Sequence, residues 1–245
     1  MKQNRYDDLD FFDAYSRMNR SVKGLAGAGE WPVFKACLPD LENKSVLDLG
    51  CGYGWHCLYA HEQGAEQVTG VDLSENMLSE AREKAAGTGI RFERASIEDY
   101  AYRANAFDVV MSSLAFHYVR DFQAACRNVH SSLKPGGSFV FSVEHPMFTC
   151  REEQEWHRDE TGSRLHWPVD RYQDEGERRT SFLAEGVMKY HRTFSTYMET
   201  LLDAGFAIKA VKEPGVTEQM LEENPDLKDE GRRPMFLIIA AEKVI

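Results

Sequence analysis

The sequence predicts an α/β domain built on a doubly wound, mainly parallel sheet, and three observations carry that prediction. An apolar run at Val46 to Leu49 breaks into glycines at 50, 52 and 54 and restarts in helical spacing at Trp55. A second run, Gln67 to Leu73, ends in Val71-Asp72-Leu73. Short apolar runs then alternate with amphipathic stretches to the end of the chain, as strands and helices in packed layers require.

Val46, Leu47 and Leu49 suit a central strand, while Gly50, Gly52 and Gly54 leave room where a Cβ would collide with a ligand or force a disallowed backbone angle. Backbone N–H groups are expected to face outward there. The helix from Trp55 to about Gln63 presents its positive N-terminal end to whatever rests on the glycines, which suits a nucleotide-like cofactor. A dinucleotide fingerprint, G-x-G-x-x-G, needs its third glycine at position 55, where Trp55 stands. The spacing therefore argues against NAD or FAD. Asp72, about 20 residues beyond the glycines, can accept hydrogen bonds from both hydroxyls of a ribose. A ribose-bearing cofactor without a pyrophosphate fits both facts.

At these residues the chain resembles the class I S-adenosylmethionine-dependent methyltransferases, whose glycine motif reads close to V-L-D-L-G-C-G-x-G, as Val46 to Gly54 does here. Ala106-Phe107-Asp108-Val109-Val110-Met111 looks like the family's fourth strand, and Leu133-Lys134-Pro135-Gly136-Gly137 like the loop before its fifth. The likeness covers residues 44 to 143 and points to the small-molecule, type 11 methyltransferase branch. It implies a Rossmann-like seven-stranded sheet in the order 3-2-1-4-5-7-6 with the last strand antiparallel, in one domain over 1–245. It implies S-adenosylmethionine as cofactor, with Asp48, Gly50, Cys51, Gly52, Gly54, Asp72 and Leu73 around it.

Composition agrees with a soluble enzyme of this kind. Hydrophobic residues make up 42% and charged residues 28%, and the formal charge of −11 repels phosphate backbones and anionic lipid headgroups. Neither nucleic acid nor a membrane is expected as a partner, and a homodimer stays open. Cysteines at 37, 51, 57, 126 and 150 are odd in number and form no C-x-x-C pair, so neither disulfides nor a metal site is expected. The first residues lack the apolar core of a signal peptide and no run approaches the roughly 18 apolar residues of a membrane span. A cytoplasmic location is the expectation.

Along the chain, residues 1–30 hold Tyr6, Phe11, Phe12 and Tyr15, then Arg20 and the glycines at 24, 27 and 29. They read either as a helix packing its aromatics on the domain or, as the resemblance implies, as a lid with Tyr15 toward the cofactor and Arg20 toward an acid group of the substrate. Trp31-Pro32 opens a helix leading into the first strand. After the second strand, Ser74 reads as an N-cap and Met77, Leu78, Ala81 and Ala85 share a helical face. Met77 is either core or, by resemblance, a contact to the adenine.

Ile90 to Glu93 reads as the third strand. Beyond it, Ser96 stands where the family carries an acid for the adenine amino group, with Glu98 or Asp99 as substitutes and Ile97 offering its backbone N–H. Phe107 to Met111 is the fourth strand, and the segment leaving its carboxyl end brings Ser113 and Leu114 to the methionine part of the cofactor and His117 toward the substrate. Asp121 to Leu133 spaces apolar residues as a helix, and Ser138 to Val143 is the fifth strand, followed by His145 at the same end of the sheet.

Residues 146–189 are polar and long for a loop, and read as an inserted cap over the substrate made of short strands and turns. Tyr190, His191 and Arg192 rejoin the domain ahead of a helix with Phe194, Tyr197, Met198, Leu201 and Leu202 on one face. Phe206 to Lys212 and Pro234 to Glu242 read as the last two strands, separated by a polar loop.

Methyl transfer by in-line displacement needs little covalent help, because a sulfonium is already a good leaving group. Holding the acceptor at attack distance can supply about 7–11 kcal/mol of the barrier. A base matters only for a hydroxyl or a protonated amine, and His117, His145 and His191 are the candidates. Tyr190, Arg20 and Arg192 are the candidate substrate contacts, the two arginines for a carboxylate acceptor. The expected function is methylation of a small molecule. The alternatives are a tRNA or protein methyltransferase, docking through a patch at Arg178 and Arg179, and a cofactor-binding regulatory protein without turnover.

Overall fold

The computed structural model describes residues 3–244. Apolar strand residues alternate between two cores, and that alternation fixes the layers. Strand β1 (Ser45–Leu49) sends Leu47 and Leu49 to one face and Val46 to the other. The chain continues through α4 (Trp55–Glu62), which follows the N-terminal helices α1 (Leu9–Ser16), α2 (Asn19–Val22) and α3 (Trp31–Cys37), into β2 (Gln67–Asp72) and α5 (Glu75–Lys84). Then come β3 (Arg91–Arg94), β4 (Phe107–Ser113), α6 (Phe122–Ser132) and β5 (Leu133–Glu144). On one face Leu47, Leu49 and Val110 meet Phe122 and Val129 of α6. On the other, Val46, Val109 and Met111 meet Phe34 of α3 and Ala60 of α4. Both faces are covered, as a parallel sheet demands.

The rest of the chain adds α7 (Pro146–Thr149), β6 (His157–Arg158), β7 (Arg164–His166), β8 (Gly176–Phe182) and β9 (Ala184–His191). After these come α8 (Phe194–Asp203), β10 (Phe206–Lys212), α9 (Glu218–Glu223) and β11 (Phe236–Lys243). The main sheet runs β10-β11-β5-β4-β1-β2-β3. Strand β11 is antiparallel to both β5 and β10 and the remaining pairs are parallel. With β10 as sixth and β11 as seventh strand, this is the order 3-2-1-4-5-7-6. Insertion between β5 and β10 explains the unbroken apolar run: Leu237, Ile238 and Ile239 are fully buried, and each such side chain contributes about 1.5–3 kcal/mol.

Three local expectations need correction. Leu133 to Gly137 is not a free loop, because Leu133 already pairs with Phe107, and a register shift absorbs the glycines before Ser138 pairs with Val109. The fourth strand runs to Ser113 rather than ending at Met111. The polar stretch after β10 contains α9 and a 3-10 turn over Pro225–Arg232. Residues 146–191 form α7 and two hairpins, β6-β7 and β8-β9, neither of which joins the main sheet. No helix among the described residues is long and apolar enough to cross a membrane.

Candidate cofactor and acceptor site

The three glycines of the turn share one backbone requirement and differ in what surrounds them. All have positive φ, +74° at Gly50, +51° at Gly52 and +74° at Gly54. A Cβ at Gly50 would lie 2.4 Å from that of Ala115, and one at Gly54 would press on Ala81 and Phe92 at 3.1 Å. Only at Gly52 does the missing side chain leave open space. The expected outward N–H groups are also mostly spent within the fold. Gly50 and Cys51 donate to the carbonyl of Val71 at 2.8 and 3.0 Å, and Gly54 donates to Cys51 at 2.9 Å. Gly52 donates to Asp72 Oδ2 at 2.8 Å. A turn with these donors engaged offers little to a phosphate, which agrees with the spacing argument against a pyrophosphate.

Asp72 ends β2 with both carboxylate oxygens held by backbone, Oδ2 by Gly52 and Oδ1 by the N–H of Ser74 at 2.9 Å. Each oxygen keeps a second lone pair. Burial raises its pKa, and the Ser74 and Gly52 N–H groups pull against that rise. Asp72, Gly50 and Gly52 line a cavity of about 810 Å³ at the carboxyl ends of the strands. Tyr15, Leu73, Met77, Ser96, Ile97, Ser113 and Leu114 line the same end. Leu114 stands at φ +54°, a strained conformation that costs about 1–3 kcal/mol and clusters at ligand sites. Ser96 donates to Asp99 Oδ2 at 2.7 Å, and Glu98 reaches the cavity wall.

Three residues expected at the cofactor do not reach this cavity. Asp48 is 1% exposed, accepts from the Cys57 thiol at 3.3 Å and is pushed up to about 7 by burial. The Cys51 thiol turns inward against Gly70. Gly54 packs on α5 and β3, as described above.

His117, Tyr190 and Arg20 also line the cavity. Burial pushes His117 down to about 4, so its ring is neutral near pH 7. The N–H of Glu144 points at Nδ1 from 3.4 Å, which places the ring proton on Nε2 and makes the imidazole a donor in this tautomer. Arg20 grips both oxygens of the buried Glu30 at 2.7 and 2.9 Å, so its charge is already met.

His145, His191 and Arg192 lie outside the cavity, for reasons of hydrogen bonding. His145 meets Glu213 at 2.8 Å through Nε2 and accepts the Met147 N–H at Nδ1, capping α7. His191 is fully buried between the Thr149 hydroxyl and the Tyr172 carbonyl, each at 2.9 Å. Arg192 donates to the carbonyls of Val119 and Arg120 and lies over the Phe122 ring. Arg178 is also buried, bonded to the carbonyl of Cys150, so Arg178 and Arg179 do not make a surface patch.

The far end of the cavity holds residues that sequence reasoning missed. Lys189 of β9 donates to Glu144 at 2.7 Å and to Gln154 at 3.3 Å. Tyr6, Tyr118, Phe148, Phe182 and Met188 complete the wall. For Glu144 strand alternation was the available signal, since side chains of consecutive residues point to opposite faces, whereas Val187 to Tyr190 all line the cavity and alternation does not single out Lys189. Glu144 faces the cavity, so its neighbour His145 faces away.

A family model described as a methyltransferase domain matches residues 47–141. Two solved structures of S-adenosylmethionine-dependent methyltransferases are similar over their whole length. One, from Listeria monocytogenes, is 52% identical over 91% of this chain and 100% of its own, with a TM-score of 0.86. The other, from Mesorhizobium loti, is 46% identical over 90% of this chain and 100% of its own, with a TM-score of 0.84. The chain belongs to the S-adenosylmethionine-dependent methyltransferases. Malonyl-[acyl-carrier protein] O-methyltransferase of Pseudescherichia vulneris is 32% identical to this methyltransferase over 84% of this chain and 75% of its own. The stretch shared with phosphoethanolamine N-methyltransferase 1 of Triticum aestivum is 36% identical but covers only 25% of that protein.

Proposed function

We propose that this methyltransferase methylates a small molecule held between the glycine turn and the β8-β9 hairpin. The observation that carries this reading is the continuity of one cavity, about 810 Å³, from Gly52 and Asp72 to Lys189 and Tyr190. Ligand pockets commonly span about 300–1,000 Å³, so the volume suits the cofactor with a small acceptor beside it.

The residues present fit S-adenosylmethionine. Gly52 offers room, Asp72 has lone pairs for two ribose hydroxyls, and Met77, Leu73 and Ile97 give an apolar slot for the adenine. Ser113 and Leu114 stand at the amino-acid tail. Tyr15 and Arg20 cover the same tail, so Arg20 serves the cofactor end in this reading. When bound, the cofactor supplies an electrophilic methyl group on a positive sulfur. The protein's work is to orient the acceptor and to exclude water.

Residues 3–20 act as the lid and residues 146–191 as the cap. Gln3 ties the two together, donating to the Gly186 carbonyl at 3.0 Å and accepting from Met188 N–H at 2.8 Å. His117 donates from Nε2 to the acceptor or, by giving up the Glu144 contact, takes its proton. Tyr190 forms part of the acceptor's wall. Incubation of the protein with methyl-labelled cofactor and cell extract tests the reading: label in a low-mass metabolite supports it, and label confined to RNA or protein overturns it.

A further inference from the structure

Lys189 is fully buried, with its side chain 1% exposed and that of Glu144 13% exposed. A buried ion pair stabilises a fold poorly compared with apolar residues of the same volume, so its place on a cavity wall calls for another reason. Lys189, Glu144 and Gln154 all line the far end of the cavity. Their hydrogen bonds leave a defined remainder. Nζ spends two of three donors, on Glu144 and Gln154. Each Glu144 oxygen accepts once from these side chains, Oε1 from Lys189 and Oε2 from Gln154 at 3.2 Å, and so retains a lone pair. The cluster thus presents one donor beside acceptors, at zero net charge.

Resting on the small-molecule reading above, we propose that the acceptor is an uncharged small molecule whose carboxamide-type or lactam-type edge docks on Lys189 and Glu144. The oxygen of that edge takes the remaining Lys189 N–H, and its N–H goes to Glu144. An anionic acid is disfavoured, because the one buried cation here is already neutralised and a second carboxylate would face Glu144. Other charges on the wall do not reverse this: Glu98, Glu153 and Glu155 stand against Arg5 and Arg120. Aromatic walls at Phe148, Phe182 and Tyr190 suit a flat ring carrying the edge.

The test uses protein saturated with S-adenosylhomocysteine and matched probes, benzamide and 2-pyridone against benzoate and phenyl phosphate, followed by ligand-observed NMR. The neutral probes are expected to bind at least about tenfold more tightly than the anions. The double variant Lys189→Met, Glu144→Gln keeps the charge balance and is expected to lose about tenfold in benzamide affinity, with S-adenosylhomocysteine affinity unchanged within about threefold. Benzoate binding as tightly as benzamide, benzamide binding insensitive to the double variant, or no binding by any probe would each overturn the proposal. Failure of S-adenosylhomocysteine itself to bind would instead sink the reading of the cofactor site.

Discussion

Asp7 accepts the hydroxyl proton of Ser74 at 2.6 Å, 67 positions along the chain, and the same oxygen accepts the N–H of Asn76 at 3.1 Å. Ser74 is the N-cap of α5 and donates its own N–H to Asp72. The N-terminal segment is therefore latched to the turn that carries the candidate ribose carboxylate. Just before Asp7 the same segment is tied to the β8-β9 hairpin through Gln3 and through Arg5, which donates to the Glu185 carbonyl at 3.1 Å.

Loss of the latch should loosen the cofactor end without unfolding the sheet. Asp7→Ala is expected to weaken S-adenosylhomocysteine binding by about tenfold, or about 1.4 kcal/mol. The thermal midpoint should stay within about 4 °C of wild type, because the latch lies outside both cores. Calorimetry and a melting curve on the same sample check both parts.

The tautomer of His117 separates donor from base. If Nε2–H donates to the acceptor, His117→Asn keeps a donor and should retain activity within about tenfold, while His117→Phe should lose about a hundredfold. Equal loss in both variants points to a base. Because burial lowers the His117 pKa to about 4, the ring gains a proton only as pH falls through that value, not through 6.5. The profile of kcat/KM should accordingly show no inflection near 6.5 assignable to this residue.

Asp48 should cost stability with a definite pH signature. Its folded pKa of about 7 lies above the unfolded value of about 3.9, so its favourable contribution is complete at low pH and is lost as pH rises through 7. Replacement by Asn removes that dependence. The stability gained by Asp48→Asn over wild type should grow by up to about 1.4 kcal/mol per pH unit between about pH 4 and 7 and then level off. Urea unfolding at pH 5, 6, 7 and 8 measures it, and a flat difference would contradict the assignment.

The cofactor half of this protein was legible in the sequence because its signals are local. Three glycines within five residues, an acid at a strand end and a serine cap each report on their own neighbourhood. Sequence reasoning gave the glycines a ligand or a backbone angle as their reason; the positive φ bears out the second at all three, and Gly50 and Gly54 also serve packing against Ala115 and Phe92. The far half of the cavity depended in part on strand register, which a single residue step reverses. That step separates His145 from Glu144, whereas His191 shares the buried face of β9 with Lys189 and is kept from the cavity by its bonds to Thr149 and Tyr172. Arg20 was read as a free cation because nothing local shows that Glu30 will fold back onto it.

The central claim is that Asp72 and the open space at Gly52 form a site for S-adenosylmethionine. Calorimetric titration of wild type and Asp72→Ala with S-adenosylhomocysteine tests it most directly. Single-site binding to wild type, weakened about a hundredfold in the variant, is the predicted result. Equal binding by both proteins, or no binding to wild type under conditions where it is folded, would contradict it.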